Sequence, residues 1–167
     1  MSVAENNTEP PMQQVQMLSY VSELNCAPSN IAKAVHQIQH RSEAYCSDLG
    51  MSGITLLRGS ILFQIIEGAP DVVKTHLKRL RADDTHGPVN VLINEPSEIR
   101  HFEIGSMTYF HDSLQEWDLL STFQQIGEYL GHGLGYSPAG MVQCAWRMVS
   151  DLTLFQMPLH AARAQHA

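Results

Sequence analysis

The hydrophobic positions near the start of the chain follow two different periods, and each period predicts a different element. Residues 15–22, VQMLSYVS, are rich in strand-forming side chains and predict a strand. A period of two gives one face of this strand three residues: Leu18, Tyr20 and Ser22. Over 31–45, spacings of three and four predict a helix, and either Ser29 or Asn30 can cap it. Its buried stripe consists of Ile31, Ala34, Val35, Ile38, Ser42 and Tyr45.

Two apolar runs between residues 51 and 68 are broken by Arg58-Gly59-Ser60. This arrangement predicts a β-hairpin, because glycine readily adopts the positive φ that tight turns need. In the second strand, Gln64 shares one face with Leu62 and Ile66. The opposite face carries Phe63, Ile65 and Glu67.

A second helix is predicted to begin at Pro70, because proline fits the first helical turn. Its buried stripe is Val73, Leu77 and Leu80. Further strands are predicted over 89–94 and 106–109. The resulting order, β-α-β-β-α-β-β, indicates an α+β fold of the ferredoxin-like sandwich type, in which two helices cover one face of a single sheet.

Two more amphipathic segments follow, at 113–130 and 137–155, and GHGLGY joins them as a flexible link. We expect them to form a helical hairpin on the free face of the sheet. The predicted organisation is a flexible tail (1–13), the main domain (14–112), a C-terminal helical extension (113–158) and a second tail (159–167).

Composition narrows the possible partners. Hydrophobic residues make up 44% of the chain and charged residues 16%, which indicates a folded protein. The net charge of −7 and the lack of a basic run argue against direct nucleic-acid binding. The three scattered cysteines favour neither a disulfide framework nor a thiolate metal site. With neither a secretion signal nor a run of about 18 apolar residues, we expect a cytoplasmic protein without a membrane segment.

The polar residues leave two interpretations open. A buried Gln64 needs hydrogen-bond partners, and Tyr20 on the first strand is predicted to lie on the same side of the sheet. The two side chains either pair within the core or help to enclose a polar, planar ligand under the helices.

His36 and His40, one helical turn apart, are interpreted as a solvated helix face rather than as metal ligands. Catalytic motifs such as G-x-S-x-G and HExxH are missing from the sequence, so we expect no enzyme.

Several short motifs together resemble the BLUF family, sensors of blue light using FAD. The most specific stretch is 51–68, which resembles the family's I-T-G and F-x-Q-x-L-E-G motifs. The other matching residues are Leu18-Ser-Tyr20-Val-Ser22, Asp83-x-x-His86, Arg100-His-Phe102 and Ser106-Met107. The resemblance covers about residues 15–110.

The resemblance implies a blue-light receptor that holds flavin, as FAD, between the two helices. Tyr20 and Gln64 then match the photoactive pair, which exchanges hydrogen bonds with N5 and O4 of the flavin. Met107 matches a methionine that couples the pocket to the following helices. The other cofactor-binding residues implied are Ser22, Ile31, Ile38, Cys46 and His86. The signal would pass to a separate signalling protein, and a homo-oligomer is expected.

Three positions depart from the family pattern. Cys46 stands where the family has a flavin-binding asparagine, which weakens the expected affinity because a thiol is a poor hydrogen-bond donor. Thr85 stands where an arginine is common, and Lys78, Arg79 or Arg81 is a candidate substitute. Gly105 takes the place of a tryptophan found in some members. The alternative function is therefore a BLUF-fold protein that has lost flavin and acts as an interaction or regulatory module.

Overall fold

The computed structural model describes residues 14–112 and 118–155. The predicted tails 1–13 and 159–167 and the start and end of the predicted extension lie outside these residues. The strands are β1 (Val15–Glu23), β2 (Ser52–Arg58), β3 (Ile61–Gly68), β4 (Asn90–Ser97) and β5 (Met107–Asp112). The helices are α1 (Ile31–Leu49), α2 (Pro70–Arg81), α3 (Leu119–Tyr129) and α4 (Pro138–Phe155).

The five strands form one sheet in the order β4-β1-β3-β2-β5. Three pairings are antiparallel, and the edge strand β5 runs parallel to β2. Every residue of β2 and β3 is buried, because helices cover both faces of the sheet. This arrangement confirms the predicted ferredoxin-like α+β fold.

Two hydrophobic clusters separate the faces. Helices α1 and α2 pack on the face that carries Leu18, Tyr20, Leu62 and Ile66. The second cluster joins the opposite face of the sheet to the C-terminal helices, through Phe63 and Ile65 on β3 and buried residues of α3 and α4. The alternation predicted for β3 is therefore confirmed, and so is the position of the helical hairpin.

Several boundaries differ from the prediction, each for a local reason. β4 extends through Pro96 to Ser97, which an edge strand permits because its proline needs no ladder donor. β5 extends beyond 109 to Asp112 through its pairing with β2. Asn30 occupies the N-cap of α1, but its side chain makes no capping hydrogen bond.

The predicted link GHGLGY is only partly a link. Residues 130–134 continue α3 as one wide turn, and the helical path ends where Gly133 adopts a φ of 94°. α3 itself is capped by Asp118, whose side chain accepts a hydrogen bond from the Ser121 N–H at 2.6 Å.

The buried carboxylate of Glu67, at the end of β3, binds the segment that leads into β5. The backbone N–H groups of His101 and Phe102 both donate to Glu67, and His101 Nδ1 lies 2.7 Å from Glu67 Oε1. Arg100 Nη1 donates to the Ser52 hydroxyl at 2.7 Å and to the Gly50 carbonyl. These contacts hold the segment between β4 and β5 against the sheet.

None of the helices within the described residues is long and apolar enough to cross a membrane.

The strands pack so closely around Gly53 in β2 that a side chain there has no room. A Cβ at this position would lie 2.0 Å from the carbonyl oxygen of Ile65 on β3, and backbone there cannot move aside without breaking the ladder. We expect Gly53→Ala to lower the free energy of unfolding by about 3 kcal/mol in urea denaturation. In Gly127→Ala the new methyl meets no atom within 4 Å, so helix propensity should keep or raise stability. Equal stability of the two variants would contradict this packing.

Candidate functional site

A row of polar side chains crosses the sheet beneath α1 and α2. In the strand register Tyr20 on β1 pairs with Gln64 on β3, Gln64 pairs with Thr55 on β2, and Thr55 pairs with Tyr109 on β5. Neighbouring strands place directly paired residues on the same face. Four polar residues therefore lie side by side in an otherwise apolar layer.

Gln64 is hydrogen-bonded at both ends of its amide. The Tyr20 hydroxyl donates to Gln64 Oε1. Gln64 Nε2 donates to Thr55 Oγ1 at 2.6 Å and lies 4.0 Å from Met107 Sδ. The structure therefore shows the Tyr20–Gln64 pair that strand parity predicts, and it adds Thr55 as a partner of the amide.

Burial keeps both phenols of the row neutral. Desolvation raises the pKa of Tyr20 far above its usual range, and Tyr109 and Asp83 raise it further. Desolvation also raises the pKa of Tyr109 to about 12. Tyr20 is therefore a hydrogen-bond donor, not a phenolate, at any physiological pH.

A cavity lies above Tyr20 and Gln64, between the two helices. Protein atoms leave about 480 Å³ of space here, part of it open to solvent. Both Tyr20 and Gln64 line this cavity. Its walls are formed by Ile38, Arg41, Ser42 and Tyr45 from α1, by His76, Arg79 and Leu80 from α2, and by Asp83 and His86 beyond α2.

Three contacts join α1 to α2 and its following loop at this cavity. Arg41 Nη1 donates to Asp83 Oδ2 at 2.8 Å. The rings of Tyr45 and His76 meet edge to face with centroids 6.1 Å apart. The Arg79 guanidinium lies 5.3 Å from the Tyr45 ring centroid.

His76 has an unused polar atom in the cavity wall. Its Nε2 is buried and has no hydrogen-bond partner. Desolvation, with Arg79 and His86 nearby, lowers the pKa of His76 to about 4, so the ring is neutral at pH 7. A buried nitrogen without a partner is costly, and a polar ligand in the cavity would supply one.

Comparison with known families gives the assignment. The sequence model described as "BLUF: Sensors of blue-light using FAD" matches residues 15–108, more than half of the chain. This chain belongs to the BLUF family. A comparison with curated proteins finds no match.

Several solved structures share the fold, among them one described as a BLUF protein. BlrB in its dark state is 22% identical with a TM-score of 0.59, and the match covers 84% of this chain and 98% of BlrB. BlsA in its photo-activated state is 18% identical with a TM-score of 0.58, covering 78% of this chain and 91% of BlsA. Klebsiella pneumoniae BlrP1 is 24% identical with a TM-score of 0.53, and its match covers 65% of this chain but only 27% of BlrP1. A bacterial light-regulated adenylyl cyclase is 22% identical with a TM-score of 0.54, covering 68% of this chain and 34% of the cyclase.

The residues around the cavity fit the flavin that BLUF proteins bind. The floor offers a phenol and an amide, and the wall offers the unpartnered His76 nitrogen. Arg79 adds positive charge to the wall, where Arg41 is paired with Asp83. Among the residues that the structure describes, no group of three histidine, cysteine or acidic side chains could hold a metal.

Of the residues predicted for the BLUF site, four line the cavity: Tyr20, Ile38, Gln64 and His86. Ser22 lies behind this wall, with its Oγ 3.0 Å from His86 Nδ1. Met107 approaches Gln64 from β5. Ile31 packs in the hydrophobic cluster beneath α1 and α2 and is not part of the cavity wall.

Cys46 is fully buried in the same cluster and is not part of the cavity wall. Burial raises the pKa of its thiol to about 11. Ser42, one turn earlier on α1, does line the cavity. Ser42 therefore adds a hydroxyl to the cavity wall, and the flavin contact expected for Cys46 stays a prediction.

The missing family arginine at Thr85 has two possible replacements in the cavity wall. Arg79 is one of the three candidates named from the sequence, and the wall contains neither Lys78 nor Arg81. Arg41 on α1 is the other. Thr85 itself donates its N–H and its hydroxyl to Asp83, which helps to lower the pKa of that carboxyl.

Sequence reasoning missed Thr55, Arg41 and His76 as site residues. The alternation in β2 contained a signal for Thr55, because pairing β2 with β3 places it beside Gln64. Arg41 and His76 lie beside the predicted buried stripes, three residues after Ile38 and Val73, but spacing alone does not tell a polar side chain that turns inward from a solvated one.

His76 predicts a specific loss of stability in acid. An unfolded histidine titrates near pH 6.5, whereas the folded chain resists protonation of His76 until about pH 4, so stability falls as pH drops through this window. At pH 5 the cost is about 2 kcal/mol relative to pH 7.5. In urea unfolding at both pH values, His76→Gln should remove that share of the loss, and His36→Gln, at an exposed position, should not. Identical pH dependence in His76→Gln and the unchanged chain would refute the assignment.

Proposed function

We propose that this chain is a blue-light photoreceptor that binds FAD between α1 and α2 and signals by rearranging the hydrogen bonds of Gln64. The observation that carries the proposal is the buried Tyr20–Gln64 pair at the floor of a cavity, in a chain of the BLUF family. The proposed output is a change in protein contacts, with no reaction on a substrate.

Bound flavin would supply the absorption of blue light and a ring edge with hydrogen-bonding atoms. Tyr20, kept neutral by burial, holds its proton toward Gln64. The amide of Gln64 has donor and acceptor ends of similar shape, so one rotation exchanges the bonds made to all of its neighbours. Tyr20 then loses its acceptor at Oε1 and must reorient its own hydroxyl.

β5 offers a route from the site to the opposite face of the sheet. Met107 lies beside Gln64 on the face of the sheet that α1 and α2 cover. Three residues later, Phe110 meets the Trp146 ring of α4 edge to face at 6.1 Å. We propose that a shift of β5 reaches α4 in this way, as implied for the family's methionine.

The C-terminal helices also offer apolar side chains for a partner. Leu120 on α3 is 67% exposed and Trp146 on α4 is 45% exposed. We propose that α3 and α4 pass the signal to a separate signalling protein or to a second copy of this chain. Ser22, Ile31, Cys46 and His86 stay proposed as flavin-site residues.

The photoreceptor is tested by colour and light. We expect the purified chain, loaded with FAD, to be yellow and to shift its absorption to the red under blue light. Gln64→Ala should keep bound flavin but lose the red shift, because the reorienting amide is gone. Gln143→Ala on the exposed side of α4 is the matched control and should respond normally. A colourless protein after incubation with excess flavin would support the interaction module instead, and a normal shift in Gln64→Ala would exclude the assigned role.

A substitution of Arg79 tests whether this side chain recognises the phosphates of FAD. If it contacts the phosphates of FAD, Arg79→Gln should weaken FAD binding about fivefold, as expected for one exposed ion pair. The effect should fade at high salt, and riboflavin, which lacks phosphate, should bind within about twofold of the unchanged chain. Arg147→Gln on α4 is the control for overall charge. Equal losses for FAD and riboflavin would show that Arg79 does not recognise phosphate.

A further inference from the structure

Thr55 is a buried hydroxyl at the centre of the sheet. It lies in β2, only 3% exposed, and pairs in register with Gln64 on one side and Tyr109 on the other. The apolar residues Leu57 and Leu62 are also on this face. A hydroxyl in such surroundings is unfavourable unless it is hydrogen-bonded.

The hydrogen bond to Thr55 is the stronger of the two contacts that the Gln64 amide nitrogen makes. Gln64 Nε2 donates to Thr55 Oγ1 at 2.6 Å, whereas the Met107 sulfur is a weak acceptor 4.0 Å away. At the other end of the amide, Oε1 accepts from Tyr20. Without Thr55, the N–H₂ group in this orientation would keep only the methionine.

We infer that Thr55 is a positioning residue that decides which end of the Gln64 amide faces Tyr20. As an acceptor, its hydroxyl holds the N–H₂ end toward β2, in the orientation that the structure shows. After a rotation of the amide, the same hydroxyl donates to Oε1, because a threonine O–H serves as donor or acceptor. The inference rests on the proposed function only for its link to light. The orientation itself is a property of the chain.

Removing the hydroxyl should weaken the hold on the amide orientation that the structure shows. Thr55→Val keeps the β-branched shape that suits a strand but offers neither donor nor acceptor. The orientation in the structure then leaves an N–H₂ group nearly unpartnered, whereas the rotated one gives that group the Tyr20 oxygen but leaves the amide carbonyl and the Tyr20 hydroxyl without the partners they had. Thr55→Ser keeps the hydroxyl and is the matched control.

The first measurement needs no flavin and no light. In ¹⁵N-labelled protein, the Gln64 side-chain amide signals are assigned by their absence in Gln64→Ala. We expect Thr55→Val to move the hydrogen-bonded proton upfield and to speed its exchange with solvent at least fivefold, while Thr55→Ser stays close to the unchanged chain. Thermal unfolding of each variant verifies that it is folded. Unchanged Gln64 signals in folded Thr55→Val would overturn the inference.

The second measurement uses the FAD-loaded protein. After illumination, recovery of the dark spectrum should slow at least fivefold in Thr55→Val and change little in Thr55→Ser. Recovery at the unchanged rate in Thr55→Val, or equal slowing in both variants, would overturn the role in the light response. If the unchanged chain shows no light response, the photoreceptor proposal fails, and the amide signals still decide whether Thr55 positions Gln64.

Discussion

The site depends on one constraint, which is that a primary amide buried in the middle of an apolar sheet must be fully hydrogen-bonded. Gln64 lies on the central strand β3, with one neighbouring strand on each side. Each of those strands supplies one partner, Tyr20 from β1 and Thr55 from β2. An unpaired amide in this place would cost about 1–3 kcal/mol, so strand register and site geometry depend on each other. A slip of one residue would turn Gln64 toward α3 and α4 and would leave both partners behind.

Much of this arrangement could be predicted from the sequence, because period-two alternation is a strong signal in buried strands. It placed Tyr20 and Gln64 on the same face, and their hydrogen bond beneath α1 and α2 confirms that placement. What alternation cannot give is the neighbour of a strand, which only sheet order supplies. Thr55 faced the correct side from its sequence position, but its pairing with Gln64 needed the observed β2–β3 register.

The helical part of the cavity was harder to predict for a different reason. Charged and aromatic side chains on a helix reach across its surface, so sequence spacing alone does not tell a solvated residue from one that turns into a cleft. Arg41 contacts Asp83 across the cavity, and the His76 ring meets Tyr45 of the facing helix edge to face. The expectation for Cys46 came from family spacing, whereas the place of Ser42 in the cavity wall becomes visible only once the two helices are packed.

Covering the sheet on both faces has a consequence for distance. Gln64 points toward the cavity, and the residues directly before and after it, Phe63 and Ile65, point into the layer formed with α3 and α4. The two layers are therefore separated by a single peptide unit of β3. A small tilt of this strand would be felt on both sides at once, so information could cross the protein without any long chain of intermediates.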